Sequence, residues 1–418
     1  MPELSGKKKE GYGQKWLLLC ISPGKDRILS VCNSHAEDVM GTFILTEEQK
    51  DIVRYAREYA DRMIRPVSAE WDRIGDTPME LYRDAAAKGF TSTSIPKEYG
   101  GLGLSYLTQA LINEEISKGD VGIANTLGAS QFACRPIFMN GTEEQKRYAA
   151  ETVMGGDMAA FALTESGAGS DASAIRTTAV RTQDGFVING RKTFITNGPY
   201  AKFYTVFAKT APEKGHRGVS CFLIEADRPG VTPGRNEDKM GFRLASCSDV
   251  VFDHVTVPAD HLIGEENRGY GLAMKILDYS RIGVGAEAVG LAQEALDLAV
   301  KYAKERQTFG KPIAQHQAIQ FMIADMEMKI QAARALYYEA AELAEAGQPG
   351  FGRISSCAKV MGSDAAVAVT SDAVQIYSGY GYTKDYRVEK LYRDAKLLQI
   401  FEGTNQIQRM IIGGYALR

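Results

Sequence analysis

The sequence predicts an α+β protein in three parts: helices, then a β domain, then helices again. Three observations carry that reading. Apolar residues recur at helical spacing across 46–154, short alternating stretches divided by turn residues fill 158–257, and helical spacing returns after Gly269-Tyr270-Gly271 and persists to the end. A chain of 418 residues is too long for a single compact core, and one domain per ~150 residues gives two or three.

The boundaries fall where the texture changes: 1–39 as an upstream extension, 40–157 as a helical domain, 158–268 as a β domain and 269–418 as a second helical domain. In the extension, Trp16-Leu17-Leu18-Leu19-Cys20-Ile21 is apolar but too short for a signal-peptide core or a transmembrane helix. Glu3, Glu10, Asp26, Glu37 and Asp38 argue against a mitochondrial transit peptide. Met40-Gly41-Thr42-Phe43, followed by Leu45-Thr46-Glu47-Glu48-Gln49, looks like a natural start leading into a capped helix. The extension is therefore expected to be poorly ordered and outside the function.

In the first helical part, Ile52, Val53, Ala56, Tyr59, Ala60 and Met63 recur at three and four, and Pro66 is expected to kink or end the run. A Pro- and Gly-rich loop at 95–103 precedes helices at 106–117, 121–140 and 143–154. Strands are predicted at 186–188, 192–196, 203–209, 219–225 and 250–257. Asn189-Gly190 and Asn197-Gly198 are read as turns between them, joined by Pro229-Gly230 and Pro233-Gly234. Beyond Gly269, apolar spacing over 284–306 and 315–346 is long enough for a bundle. Near the C-terminus, Leu391, Leu397, Leu398 and Phe401, then Ile407, Met410 and Ile411, predict two amphipathic helices interrupted at Glu402-Gly403-Thr404.

Composition excludes several functions. With 49 basic and 52 acidic residues, a formal charge of −3 and no charged block beyond Lys7-Lys8-Lys9, neither nucleic acid nor an anionic membrane is the expected partner. The six cysteines lack CxxC spacing, which reads as the reduced thiols of a cytoplasmic protein, and the five histidines show no HExxH, so no metal site is expected.

Two stretches carry chemistry. Gly403 lets the backbone turn sharply or a ligand approach, and Glu402 beside it is a carboxylate on an apolar segment. Such an acid has a raised pKa and can accept a proton near neutrality. An ordinary surface acid before a C-capping glycine has the same sequence. At the start of the β domain, 161–171 is an apolar strand followed by small residues. Its backbone N–H groups and the hydroxyls of Thr164 and Ser170 suit the polar edge of a ring or a phosphate. No GK[ST] follows and no βαβ unit surrounds it, so it is neither a Walker loop nor a dinucleotide fingerprint; a plain turn is the alternative.

FALTESGAGSDASAIRT at 161–177, TFITNG at 193–198, RQTFGKPIAQHQAIQFMIADM at 306–326, QIYSGYGY at 375–382 and YRDAKLLQIFEGTNQIQR at 392–409 together resemble the acyl-CoA dehydrogenase family. The similarity runs from about residue 42 to the C-terminus, with all five blocks in the family's order. It implies a β-barrel-like, orthogonal sheet in the middle domain, a C-terminal four-helix bundle and a place in fatty acid metabolism. It also implies a homotetramer, a dimer of dimers, that passes electrons to an electron-transfer flavoprotein.

The resemblance implies an FAD ring between the β domain and the bundle, contacted by Phe161, Leu163, Thr164, Gly169, Ser170, Thr196 and Phe194; Phe194 stands where the family commonly has Trp, so stacking area survives without the indole donor. It implies a pyrophosphate and adenine held partly across a subunit interface by Arg306, Thr308, His316, Gln317, Gln375 and Gly379, with Thr404 and Gln406 closing the site. Alone, Arg306 would read as a surface charge at a helix C-terminus. Glu402 matches the family's base: it would take the α proton of an acyl-CoA thioester as the β hydride moves to the flavin, giving a trans-2-enoyl thioester.

Some relatives carry the base near 277–281, where no glutamate stands here, which favours Glu402. Asp278 and Arg281 match positions that hold the thioester and pantetheine, with helix-end charges at a domain junction as the alternative, and Ser170 and Gly403 match substrate contacts. The acyl wall is expected from 121–135, where Asn125, Thr126 and Gly128 are small or polar. Ile123 stands where glutaryl-CoA dehydrogenases carry an arginine, and Arg135 either meets a distal carboxylate or faces solvent or a neighbouring acid. The run 277–303 resembles the short-chain and branched or cyclic acyl members. An acyl-CoA oxidase, an enoyl-CoA reductase and a non-catalytic CoA-binding relative remain open alternatives.

Overall fold

The computed structural model describes residues 45–418; the expected extension at 1–39 and the start at Met40 lie outside the described residues. Helix α1 (Glu47–Tyr59) opens with a reciprocal cap between Thr46 and Gln49, which satisfies two of the donors a helix start leaves bare. A π-helical turn at Ala60–Ile64 joins it to α2 (Arg65–Ile74). Pro66 was expected to kink or end the run, and the α-helical run does end in the π turn just before it; Pro66 then sits in the first turn of α2. Left-handed Gly75 closes α2.

Helices α3 (Met79–Ala87), α4 (Tyr106–Gly119), α5 (Val121–Asn140) and α6 (Glu143–Met154) complete the first layer. Asp120 caps α5, accepting from the N–H groups of Gly122 and Ile123 at 2.9 and 3.3 Å. Ile64, Tyr82, Ile112, Ile116 and Ile123 fill the core between these helices.

Seven strands follow: β1 (Met158–Ala162), β2 (Thr178–Arg181), β3 (Gly185–Thr196), β4 (Ala201–Lys209), β5 (Val219–Glu225), β6 (Val231–Pro233) and β7 (Cys247–Pro258). The sheet path is β1-β4-β2-β3-β7-β6, with β5 on β4; β1 and β2 run parallel to β4 and the other pairs are antiparallel. The expected barrel-like sheet is a half-barrel whose two end strands, β1 and β6, do not pair. The stretches 186–188 and 192–196 were expected as separate strands, but both belong to β3. Asn189-Gly190 makes a register shift against β7 rather than a hairpin turn. Gly190 adopts φ 157°, and a Cβ there would lie 2.3 Å from Thr177 Oγ1, so no larger residue fits.

The last part comprises α7 (Gly269–Glu305), a small hairpin of β8 (Gln307–Thr308) and β9 (Lys311–Pro312), α8 (Gln317–Glu345), α9 (Phe351–Tyr377), α10 (Val388–Leu398) and α11 (Asn405–Ala416). Helices α7 to α10 form the bundle, with Ala286, Val289, Leu291, Ile330, Tyr337, Ala366 and Val369 in its core and α4 laid against α7. Gly362 lets α7 and α9 approach closely, since a Cβ there would stand 3.1 Å from Gly285 O. The expected apolar face of α11 is covered in part: Ile407 and Ile411 are half-buried and turn toward a cleft described below, whereas Met410 is left open. Met410 is 71% exposed, and the buried residues of the helix are Asn405 and Gln408.

All three parts meet at α10. The buried Lys390 ammonium lies 2.8 Å from Asp120 of the first part and 2.6 Å from Asp394, and Asp394 accepts the N–H of Phe242 from the β domain at 2.7 Å. Arg393 pairs with Asp72 of α2 at 2.7 Å and donates to Met240 O at 2.9 Å. The helix leading into Glu402 is thus clamped to both other parts.

Candidate active site

A cleft of about 670 Å³ opens where α4, α5, the loop after β1, the end of β3, α7 and the turn after α10 converge. Glu402 lies in that turn. Its backbone is left-handed (φ 54°) and so is that of Gly403 (φ 85°), the former a conformation that a side-chain-bearing residue holds only when its surroundings enforce it. The enforcement is visible: Lys359 Nζ donates to Gly403 O at 2.9 Å, and Gln408 Nε2 donates to Glu402 O and Gly403 O at 3.0 and 3.2 Å. Asn405 is tied to Ser363 and Asp364 at 2.9 and 2.8 Å.

The Glu402 side chain keeps part of its surface open to the cleft, yet protein packed around its carboxylate raises its pKa above the usual carboxylate range by desolvation. The Ser280 hydroxyl, which donates to Glu402 Oε2 at 2.8 Å, moderates that rise, as do the charges of Arg281 and Lys359. A surface acid before a capping glycine would have none of these neighbours.

The loop after β1 is held by an interior ion pair. Lys192 of β3 reaches Glu165 at 2.8 Å and Leu163 O at 2.9 Å, and Glu165 also accepts from Arg176 N, Thr177 N and Thr177 Oγ1 at 2.6, 3.0 and 2.6 Å. This latch presents Phe161, Leu163, Thr164, Gly169 and Ser170 to the cleft beside Phe194 and Thr196. Phe194 is 67% exposed at φ 55°, and a Cβ on Gly169 would meet nothing within 4 Å. Aromatic surface, hydroxyls and bare backbone on one wall fit a flat heteroaromatic ring with a polar edge. Lys239 Nζ and Arg281 Nε, buried in the cleft wall without a hydrogen-bond partner, fit a ligand that supplies acceptors. These residues suit FAD.

Of the other expected residues, Gly403, Thr404 and Arg281 line the cleft. Asp278 does not, but it pairs with Arg281. Arg306, Thr308, His316, Gln317, Gln375, Gly379 and Gln406 also lie off the cleft. Arg306, Gln317, Gln375, Gly379 and Gln406 are exposed on this chain. Within this second group, the Arg306 guanidinium sits 5.7 Å from the Tyr380 ring centroid and Thr308 Oγ1 lies 3.2 Å from His316 Nε2.

Asn125 and Gly128, expected in the acyl wall, line the cleft. Thr126, expected beside them, is buried away from it, because the helical turn carries it to the opposite face of α5. Arg135 meets neither solvent alone nor an acid: it lines the cleft with its guanidinium 5.1 and 5.3 Å from the Tyr106 and Tyr279 rings and donates to Tyr106 Oη at 3.2 Å. Sequence reasoning missed Lys192, Glu165, Ser280 and Glu287. The last two had a signal, since Ser280, Gly283 and Glu287 share one face of α7 at helical spacing.

Fold and cleft together define a flavin-dependent oxidoreductase. Family models described as the acyl-CoA dehydrogenase N-terminal, middle and C-terminal domains match residues 46–157, 160–255 and 267–417, and the chain belongs to the acyl-CoA dehydrogenase family. It is 42% identical over 376 residues to a 3-(aryl)acrylate reductase of Clostridium sporogenes, covering 89% of this chain and 99% of the relative. Among solved structures, butyryl-CoA dehydrogenase from Megasphaera elsdenii superposes with a TM-score of 0.88 at 43% identity, over 90% of this chain and 100% of that one. A chain from a structure described as an electron transferring flavoprotein of Acidaminococcus fermentans gives 0.88 at 46% identity, over 90% and 99%. The protein is an FAD-dependent enzyme of acyl-CoA α,β-dehydrogenation. Among the described residues no helix is long and apolar enough to cross a membrane.

Proposed function

We propose that Glu402 is the base of this reaction and that the cleft takes an acyl-CoA thioester between Glu402 and the wall formed by Phe161, Thr164, Ser170 and Phe194. One observation carries the assignment: a desolvated carboxylate, fixed by Ser280 on a left-handed turn, opens into the same cleft that this wall lines. Desolvation raises the proton affinity of Glu402, which the weak acidity of a thioester α C–H demands. The Glu402 N–H donates no hydrogen bond among the described residues and is left to hold the thioester carbonyl, where negative charge grows as the proton leaves. Ser280 orients the carboxylate. When bound, the flavin supplies the acceptor for the β hydride.

Thr164, Gly169, Ser170, Phe194, Thr196 and Thr404 would hold the ring, while the second group around Arg306 and His316 would serve the cofactor's phosphates and adenine in a neighbouring copy. The exposure of Arg306, Gln317, Gln375, Gly379 and Gln406 away from the cleft supports a site completed between copies, and the proposed assembly is a homotetramer built as a dimer of dimers. An electron-transfer flavoprotein is the proposed acceptor and the cytoplasm the proposed location.

The test is Glu402→Gln: the variant keeps its yellow flavin, and acyl-CoA no longer bleaches it under anaerobic conditions. Bleaching at the wild-type rate would refute the base assignment. Similarity to the 3-(aryl)acrylate reductase favours one second reading, the same chemistry run towards the saturated acyl group with Glu402 delivering the α proton. Product analysis with a low-potential electron donor and an enoyl thioester decides the direction.

A further inference from the structure

Two turns along α7 from Ser280, the cleft holds a second carboxyl group that the dehydrogenation itself does not use. Glu287 is 4% exposed, lines the cleft, and its Oε2 is buried without a hydrogen-bond partner. Its one neighbour of the right kind is the Asn125 side chain on α5, and no basic residue pairs with it among the described residues. Its neighbours are small or amide-bearing: a Cβ on Gly128 would come into contact with Glu287 Oε1 at 3.9 Å, and a Cβ on Gly283 would press on Asn113 Nδ2 at 3.2 Å, so both glycines leave room that a side chain would take. Asn113, Asn125, Gly128, Gly283 and Glu287 line the part of the cleft between α4, α5 and α7, and its wall there is polar.

Ser280, Gly283, Val284 and Glu287 stand on one face of the helix, so this part of the cleft continues the line from Glu402 inward. Seven residues span about 10 Å of helix axis, which sets Glu287 beyond the β carbon of an acyl chain whose α carbon meets Glu402. Burial, with the Glu402 charge nearby, pushes the Glu287 acid up to about 8, so it is chiefly a neutral hydrogen-bonding group at neutral pH. A buried polar atom left unpaired on a residue that lines the cleft calls for a ligand group that pairs with it. A purely hydrocarbon chain would leave it orphaned. A distal carboxylate would enter a part of the cleft with no cation beside Glu287.

We propose that Glu287 is a specificity-determining residue that reads an uncharged hydrogen-bonding group, above all a hydroxyl, carried by the acyl chain beyond its β carbon. This rests on the acyl-CoA reading of the cleft and names the substrate class it serves. A hydroxyl both donates and accepts, so it pairs with the neutral acid and with Asn125 together. Sites built around such a hydrogen bond reject the analogue that lacks it far more strongly than apolar pockets reject an extra methylene.

The test compares 6-hydroxyhexanoyl-CoA, hexanoyl-CoA and adipyl-CoA on the FAD-loaded wild type and on Glu287→Gln and Glu287→Leu. Two readouts are taken, kcat/KM and the Kd by calorimetry. The wild type is expected to favour the hydroxylated thioester over hexanoyl-CoA at least tenfold. Glu287→Gln keeps most of that preference, and Glu287→Leu abolishes or reverses it. A ratio unchanged within twofold in Glu287→Leu, or a wild-type preference for adipyl-CoA, overturns the proposal. If no thioester is turned over, the acyl-CoA dehydrogenation reading is what fails, and the calorimetric ratio still decides the role of Glu287.

Discussion

The Ser280 hydroxyl on α7 and the Glu402 carboxylate on the turn between α10 and α11 meet at 2.8 Å, joining segments that are far apart in sequence at the proposed base. The hydrogen bond favours the ionised acid, against a desolvation that favours the neutral one.

Ser280→Ala removes the moderating contact, so the pKa of Glu402 moves further up. Proton abstraction requires the ionised form; hence kcat/KM rises with pH, and the variant's rise occurs at higher pH than the wild type's. Well above both inflections the two rates converge or the variant leads, because its base is stronger. A pH profile of kcat/KM checks this, and an unmoved inflection would show that the hydroxyl has no part in tuning the acid.

Lys192→Met deletes the fully buried cation of the pair with Glu165. Leaving Glu165 without its partner costs about 3 kcal/mol. The loss is local to the loop that presents Thr164, Gly169 and Ser170, so the variant is expected to release FAD on gel filtration while its far-ultraviolet circular dichroism stays close to wild type. Absorbance at the flavin band after chromatography measures it.

Lys390→Met leaves Asp120 and Asp394 facing each other across the place where the ammonium stood. Each caps or anchors an element of a different part, α5 for Asp120 and the Phe242 N–H for Asp394. A loss of about 3–5 kcal/mol is expected, seen as a lower midpoint in urea unfolding. The double variant Lys390→Met with Asp394→Asn should recover part of it.

The three-part architecture was legible because periodicity changes at Met158 and Gly269 are long-range signals that survive local exceptions. The turn at Glu402-Gly403 was legible as a break between two amphipathic runs, but an acid before a glycine reads equally as a plain helix end, and only the five-block resemblance singled Glu402 out as a base. The bulge at Gly190 was not, since Asn-Gly carries the same local preference for a turn whether or not the strand continues; the contact with Thr177 that decides it is nonlocal. The extra carboxyl at Glu287 was hidden among small residues on a helix read for its apolar stripe. Its importance depends on what α4 and α5 bring opposite it. Lys192 and Lys390 read as ordinary strand and helix cations until burial shows that each has an interior acid as partner. Met410 misled for the converse reason: an apolar face was visible in the sequence, but the surface that would cover it is not part of this chain's own packing.

Because α10 is bolted to α2 through Arg393 and Asp72 and to α5 through Lys390 and Asp120, the acid at its end inherits its position from contacts remote from any substrate. A lesion at Asp72, on the outer helical layer, would therefore score in a turnover assay as a sluggish enzyme before it scored in a melting curve as a weak fold. Mutational surveys of this protein that sort variants by distance from the cleft would file such a change under the wrong heading.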